Sequence, residues 1–245
     1  MNPTKRQCQI LDLLKEQEWL GVEEAVRILG SSPASIRRDL RVLEEAGALR
    51  RVRGGARRGD MVPFEKRELQ ASEEKDAIAA KAVELLRHGD VVIVDGGTTT
   101  MHVAYHLPKF RLTLITNSLR LAGYLDERSA QYPELDLFLT GGFVYPGSSL
   151  LVGPGAQASL QNYHADWAFL SAEGLDPEGL YNTNELVVES ERLMIANSAR
   201  SAVLIDHTKL GRRAMCRVAP VVDLDTVVCD DAPDWLPESL NVLTV

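Results

Sequence analysis

Cysteine is scarce in this 245-residue chain: Cys8, Cys216 and Cys229 are scattered and odd in number. That excludes a disulfide framework and the paired spacing of a zinc ribbon, and it reads as reduced thiols in a cytoplasmic protein. No run of about 18 apolar residues occurs, which excludes a transmembrane helix and gives no reason to expect a membrane partner. The opening stretch MNPTKRQCQILDLLKEQEW carries charges inside its apolar pattern, unlike a signal peptide. There is no internal repeat and no low-complexity segment. Nucleophile signatures are missing too: no G-x-S-x-G occurs, and no cysteine has a histidine close by to activate it.

What the chain does have is an uneven charge. The net charge is −8, yet residues 1–60 carry 12 Lys+Arg against 9 Asp+Glu, while residues 61–245 carry 15 against 26. Eight arginines crowd into 31–58, with only Asp39, Glu44 and Glu45 as counter-charges. A basic patch on an acidic protein points to a polyanionic partner.

The first sixty residues explain that patch. Ile10, Leu11, Leu13 and Leu14 predict one helix, and Val22 to Leu29 a second closed by Gly30. SSPASIRRDLRVLEEAG predicts a third, with Ser32 as cap, Pro33 at the first helical position and Gly47 at the end. Ile36, Leu40 and Leu43 form its apolar stripe. Ala34, Arg38, Arg41 and Glu45 fall on the opposite face, with Ser35 and Arg37 flanking. Small side chains near the N-terminus allow close approach to base edges, and arginines reach guanines or phosphates. The basic stretch ALRRVRGGARRG then predicts a β-hairpin with Gly54-Gly55 at its tip, so that Arg51 and Arg53 reach the DNA backbone. Together these are the parts of a winged helix-turn-helix on double-stranded DNA.

Residues 57–71 read as a polar connector. After a helix from Ser72, strand signals at 91–94, 112–116, 135–140, 167–170, 202–205 and 226–229 alternate with helical stretches at 100–107, 118–125, 155–163 and 185–199. The expectation is an α/β fold with a mostly parallel sheet covered on both faces. Domains follow as 1–58 for DNA binding, 59–71 as linker and 72–245 for sensing and oligomerisation.

Ligands of such sheets bind beyond the carboxyl ends of the strands. Those ends read Asp95 to Thr100, Thr116-Asn117-Ser118, Thr140-Gly141-Gly142, Ser171-Ala172-Glu173-Gly174 and Asp206-His207-Thr208-Lys209. In VDGGTTT, residues 94–100, Gly96 and Gly97 leave backbone bare, and Thr98, Thr99 and Thr100 stand where a helix begins. Amides, helix dipole and hydroxyls there suit an anion. The loop lacks the Rossmann glycine spacing. GFVYPGSS, at 142–149, has serine where a P-loop needs lysine, so no nucleotide cofactor is expected. His102 and His106 stand four apart but have no third ligand, so no metal is expected and packing or surface histidines are the reading.

Ser35-Ile36-Arg37-Arg38-Asp39-Leu40 resembles the T-I-R-R-D-L of DeoR-family bacterial transcription regulators, and Arg53-Gly54-Gly55-Ala56 resembles their H-G-G-A wing with arginine for histidine. VDGGTTT resembles their D-x-G-T-T, ITNSL their T-N-S, LTGG their G-G turn, and IDHTKLGRRA at 205–214 their D-x-[ST]-K-[FL]-G. The likeness spans nearly the whole chain. It implies an effector domain related in fold to ribose-5-phosphate isomerases that senses phosphorylated sugars or polyols. By that resemblance Gly97, Thr98 and Thr99 hold phosphate, and Asp95, Thr116, Asn117, Gly142, Glu173 and Lys209 line the sugar end. Ala172-Glu173-Gly174 departs from the family's A-D-G by one methylene.

The chain is therefore read as a cytoplasmic, homodimeric or homotetrameric regulator, a repressor of carbohydrate-metabolism genes. The alternative is a sugar-phosphate isomerase fused to a DNA-binding head, against which SAEG offers a single acid where isomerisation uses several.

Overall fold

The computed structural model describes residues 4–17, 19–45, 49–58, 64–145 and 147–245. The chain divides into two compact units, Met1–Arg67 and Glu68–Val245.

In the first unit, α1 (Lys5–Glu16) starts at a capping box in which Thr4 and Gln7 satisfy each other's backbone amides. A short strand, β1 (Trp19–Gly21), leads into α2 (Val22–Leu29), which ends on Gly30 in the left-handed conformation the sequence predicts there. The helix α3 (Pro33–Glu45) is held at its start by the Ser35 amide donating to Ser32 Oγ at 3.2 Å. Ile36, Leu40 and Leu43 are buried against Ile10, Leu14, Leu20 and Ala25. Gly47, the expected terminator of α3, lies outside the described residues.

Asp39 braces this unit. It sits buried on α3, where its two oxygens accept from Arg6 Nε at 2.5 Å and Gln7 Nε2 at 3.1 Å on α1. A charge-assisted pair of this kind fixes the α1–α3 packing more tightly than apolar contact alone.

The wing is β2 (Leu49–Val52) against β3 (Gly55–Arg58), antiparallel, and β1 adds to the far side of β3 in the order β1-β3-β2. The turn is Arg53-Gly54, not the expected Gly54-Gly55. Gly54 takes φ +88°, while Gly55 is a buried strand residue paired with Gly21. A Cβ at Gly55 would stand 2.3 Å from the Leu20 carbonyl oxygen, so the close β1–β3 approach requires glycine there. A further short helix, α4 (Phe64–Glu68), occupies part of the segment expected as connector, and its Phe64 is buried. One apolar residue among charges carried too little periodicity to predict it.

In the second unit a seven-stranded parallel sheet forms the core. In chain order its strands are β4 (Val91–Val94), β5 (Leu112–Thr116), β6 (Leu135–Leu139), β9 (Ala165–Leu170), β12 (Ser198–Ile205), β14 (Thr226–Cys229) and β15 (Asn241–Thr244). The helices are α5 (Ser72–Val83), α6 (Thr98–His106), α7 (Leu119–Asp126), α8 (Pro154–Leu160) and α9 (Glu185–Ala196). Ile93, Ile115, Ala168, Leu170, Val203 and Val227 pack with Leu160, Val188 and Met194 on one side. The six predicted strands are present, and β15 extends the sheet.

Smaller pieces sit beyond it: the hairpin β7 (Phe143–Tyr145) with β8 (Leu150–Val152), and an antiparallel sheet of β10 (Gly174–Asp176), β11 (Gly179–Asn182) and β13 (Cys216–Pro220).

Strand order is β15-β14-β12-β9-β4-β5-β6. From β4 the chain winds one way through β5 and β6, then returns to β9 and winds the other way. The crevice between the ends of β4 and β9 is the point where the winding reverses, the place where open α/β sheets bind ligands.

Asp39→Ala removes the acceptor for both Arg6 and Gln7. Amide protection in α1 and α3 is expected to fall by about tenfold to a hundredfold in hydrogen exchange on the full chain. Unchanged protection would contradict the bracing role.

Candidate functional site

On the first unit, α3 presents Ala34, Arg37, Arg38 and Arg41 on its exposed side, with Ser32 exposed and Ser35 half-buried at its start. The Ser32 and Ser35 hydroxyls lie 3.0 Å apart, so both belong to the cap. Arg53 is exposed at the wing tip. Arg51 is already engaged: its amide donates to Glu44 Oε1 at 2.9 Å and its Nε to Glu44 Oε2 at 2.7 Å, which ties the wing to α3. An open groove of about 1200 Å³ runs between α2, α3 and the wing, lined among others by Trp19, Arg27, Pro33, Arg37 and Gly54. Trp19 and Arg27 were not legible as surface partners, because nothing in the sequence announced the strand β1 that presents the indole.

On the second unit, Asp95 stands at the reversal point, fully buried. Its carboxylate accepts from Asn117 Nδ2 and from Ser171 Oγ, each at 3.1 Å, and Asn117 Oδ1 accepts the Gly96 amide at 2.9 Å. Three strand ends, β4, β5 and β9, are thereby locked together. Burial pushes the Asp95 carboxyl up to about 6, opposed by the hydrogen bonds from Asn117, the Gly96 amide and Ser171.

The loop glycines serve the chain's own packing. A Cβ on Gly96 would meet Leu150 Cδ2 at 2.0 Å, and one on Gly97 would meet Ser171 Oγ at 2.2 Å. What the loop offers a ligand is the start of α6. Gly97 provides no side-chain cap, and Thr98, Thr99 and Thr100 behind it are buried. By contrast Ser118 caps α7 and Asn184 caps α9. An uncapped, buried first turn is an anion-seeking feature.

The predicted polar residues divide into two groups. Thr100 Oγ1 donates to the Gly97 carbonyl at 3.3 Å, and Thr116 Oγ1 donates to the Val94 carbonyl at 2.7 Å while accepting the Ser118 amide. These two hydroxyls, with the Asp95 and Asn117 side chains, shape the wall. Gly142, at φ +114°, lies against Ala156 and Val152, where a Cβ would come within 3.0 Å of backbone. Glu173 and Lys209, half-buried on neighbouring strand ends, form an ion pair at 2.5 Å.

His102 Nδ1 and His106 Nε2 both meet Asp76, at 3.2 and 2.8 Å, so they pack α6 on α5. His207 pairs with Asp230 at 2.5 Å, and that carboxylate holds the imidazole pKa above its ordinary value. Glu74, His207 and Asp230 place ligand-type atoms within 4.8 Å of one another, a grouping the His207–Asp230 ion pair accounts for.

Two family descriptions match: a DeoR-like helix-turn-helix domain over residues 6–61 and a DeoR C-terminal sensor domain over 70–231. The chain belongs to the DeoR family. Among its relatives are the HTH-type transcriptional regulator GlpR of Haloferax volcanii, 38% identical over 96% of this chain and 92% of that one, and GolR of Listeria innocua, 34% identical over 94% and 92%. The HTH-type transcriptional repressor GlcR of Bacillus subtilis is 31% identical over 96% and 91%. Solved structures include ribose 5-phosphate isomerase A of Methanocaldococcus jannaschii, at TM-score 0.41 and 20% identity over 58% of this chain and 55% of that one.

This DeoR-family protein is a DNA-binding transcriptional regulator with an N-terminal helix-turn-helix and a C-terminal sensor domain. The isomerase alternative finds no support among these relatives, which are named as regulators. No helix among the described residues is long and apolar enough to cross a membrane.

The sensor domain also contains groups that sequence reasoning passed over. Glu191 on α9 is fully buried and accepts from Asn182 Nδ2 at 2.6 Å. Its signal was an acid inside the apolar stripe Val187, Val188 and Met194. Asp176 pairs with Arg213 and accepts the Glu178 and Gly179 amides.

A carboxyl with a raised pKa keeps its proton in the folded chain after the unfolded chain has lost it. Asp95 therefore makes stability highest below about pH 4 and lowers it as pH rises to about 6, with no further loss above. The Asp95→Asn variant is expected to lack this component in thermal unfolding followed from pH 4 to 7. A variant that tracks the parent across that window contradicts the assignment.

Proposed function

We propose that the protein is a cytoplasmic repressor of carbohydrate-metabolism genes whose grip on its operator is set by a phosphorylated sugar or polyol bound at the β4/β9 crevice. The head is residues 1–58, the connector 59–71, and the sensing and oligomerising part 72–245. One observation carries the effector reading: the buried, uncapped start of α6 lies at the reversal point of the sheet. In this reading the amides and hydroxyls of Thr98 and Thr99 hold the phosphate. Lys209 exchanges Glu173 for the ligand, and Asp95 and Asn117 keep the wall in place. A repressor role is supported by the name of the GlcR relative.

Arg37, Arg38 and Arg41 read the major groove from α3, beside Ala34 and the cap residues Ser32 and Ser35, and Arg53 anchors a phosphate from the wing. Arg51 contributes by fixing the wing through Glu44. One head makes few phosphate contacts, so a homodimer or homotetramer joined through the sensor part supplies two half-sites. The net negative charge of residues 61–245 also limits adhesion to non-specific DNA.

Thermal-shift screening of sugar and polyol phosphates is the first test, and at least one is expected to stabilise the chain without being chemically converted. Turnover of a stabilising compound would overturn the sensor reading. For the head, Arg38→Ala should weaken operator binding by about 1–3 kcal/mol and relax selectivity at one base pair, whereas Arg53→Ala should weaken all sequences alike and reduce the salt slope by about one. Fluorescence-anisotropy titrations at several salt concentrations distinguish the two. Equal affinity and selectivity in the Arg38 variant would remove it from the groove.

A further inference from the structure

Among the described residues of the sensor domain, Glu191 is a fully buried acid to which the effector reading gives no part. It stands on α9 in the stripe of Val187, Val188 and Met194, among apolar side chains. One oxygen, Oε1, accepts from Asn182 Nδ2 at 2.6 Å, but the other, Oε2, is buried with no hydrogen-bond partner. A lone buried oxygen of this kind weakens the fold unless something fills its bond. Its hydrogen-bond partner places it beside the crevice: Asn182 directly follows Tyr181, whose carbonyl accepts the amide of Glu173 at 3.0 Å. Burial first, then the charges of Asp95 and Glu173, raise the Glu191 carboxyl well above its ordinary value, which favours its protonated form. Since Oε1 is occupied as an acceptor, the proton belongs on Oε2, which makes that oxygen a donor.

We propose that Glu191 reads the carbon end of the ligand, with Oε2–H donating to a hydroxyl or carbonyl oxygen of a phosphorylated sugar or polyol. The assignment rests on the effector reading above. It adds that the sensor selects for an oxygen-bearing carbon chain over a bare phosphate. Because Glu191 is fully buried, ligand entry parts the half-buried Glu173–Lys209 pair, Lys209 turning to the phosphate. The instability of the unfilled Oε2 is relieved on binding, so it adds to the preference for the liganded form.

Two variants of the full chain test this. Glu191→Gln keeps one acceptor and one donor in the places of the protonated acid, and Glu191→Met keeps only the volume. The probes are inorganic phosphate, glycerol 3-phosphate, glucose 6-phosphate and fructose 6-phosphate, titrated calorimetrically. The parent protein is expected to bind at least one organic phosphate more tightly than inorganic phosphate. In the Met variant that affinity should fall about tenfold, with inorganic phosphate unchanged. The Gln variant should stay within about threefold of the parent.

Retention of the organic preference by the Met variant would overturn the assignment. So would a loss of inorganic phosphate in parallel, a Gln variant as impaired as Met, or a parent protein that binds organic and inorganic phosphate equally well. A parent protein that binds none of the four probes would overturn the effector reading itself, and this inference with it.

Discussion

Asp95 holds three strand ends of the sensor sheet together from a position with no access to water. Its carboxylate accepts from Asn117 after β5 and from Ser171 after β9, and Asn117 in turn fixes the Gly96 amide after β4. Burying a carboxylate is costly, and only a full set of donors makes it tolerable. That set determines the direction of the loop leading into α6, and so the direction in which its uncapped amides face. With Gly97 pressed against Ser171 and Gly96 under Leu150, the loop has no freedom to cap itself. The anion-seeking character of the site follows from this lock.

The head uses the same device at smaller scale. Asp39, in the middle of an arginine-rich stretch, is turned inward and consumed by Arg6 and Gln7. Arg37, Arg38 and Arg41 stay exposed on the outer side of α3, and Glu44 is drawn to the wing by Arg51. Asp39 and Glu44 are thus engaged with α1 and the wing. The positive face of α3 is a product of folding as much as of composition.

Much of this could be read from the chain alone. Four apolar residues in a row, as in Val91–Val94, or a stripe at helical spacing, as in Ile36, Leu40 and Leu43, announce their element because burial demands it. Gly30 was legible as a helix end because φ +60° suits almost nothing else. Three-residue strands such as Trp19–Gly21 and Phe143–Tyr145 were not, since so short a segment has no periodicity, and half-exposed β15 had too little apolar contrast. The wing tip slipped by one residue because two adjacent glycines satisfy a turn equally well in sequence. Only the contact between Gly55 and the Leu20 carbonyl separates them. Among the site residues, the strand-end loops were visible, but not the split between those that build the wall, such as Thr116, and those that face a ligand. That split depends on which partner each hydroxyl finds across the sheet. Glu191 was hidden for the same reason, its hydrogen-bond partner Asn182 being supplied by β11.

A sensor of this kind requires coupling between an effector at the β4/β9 crevice and the DNA-binding head, and operator titration measures that coupling directly. The operator affinity of the full chain, measured at fixed salt with and without a saturating stabilising sugar phosphate, should differ by about fivefold or more, as a coupling free energy of 1–3 kcal/mol requires. Identical affinities in the two titrations, with the ligand shown to be bound, would contradict it.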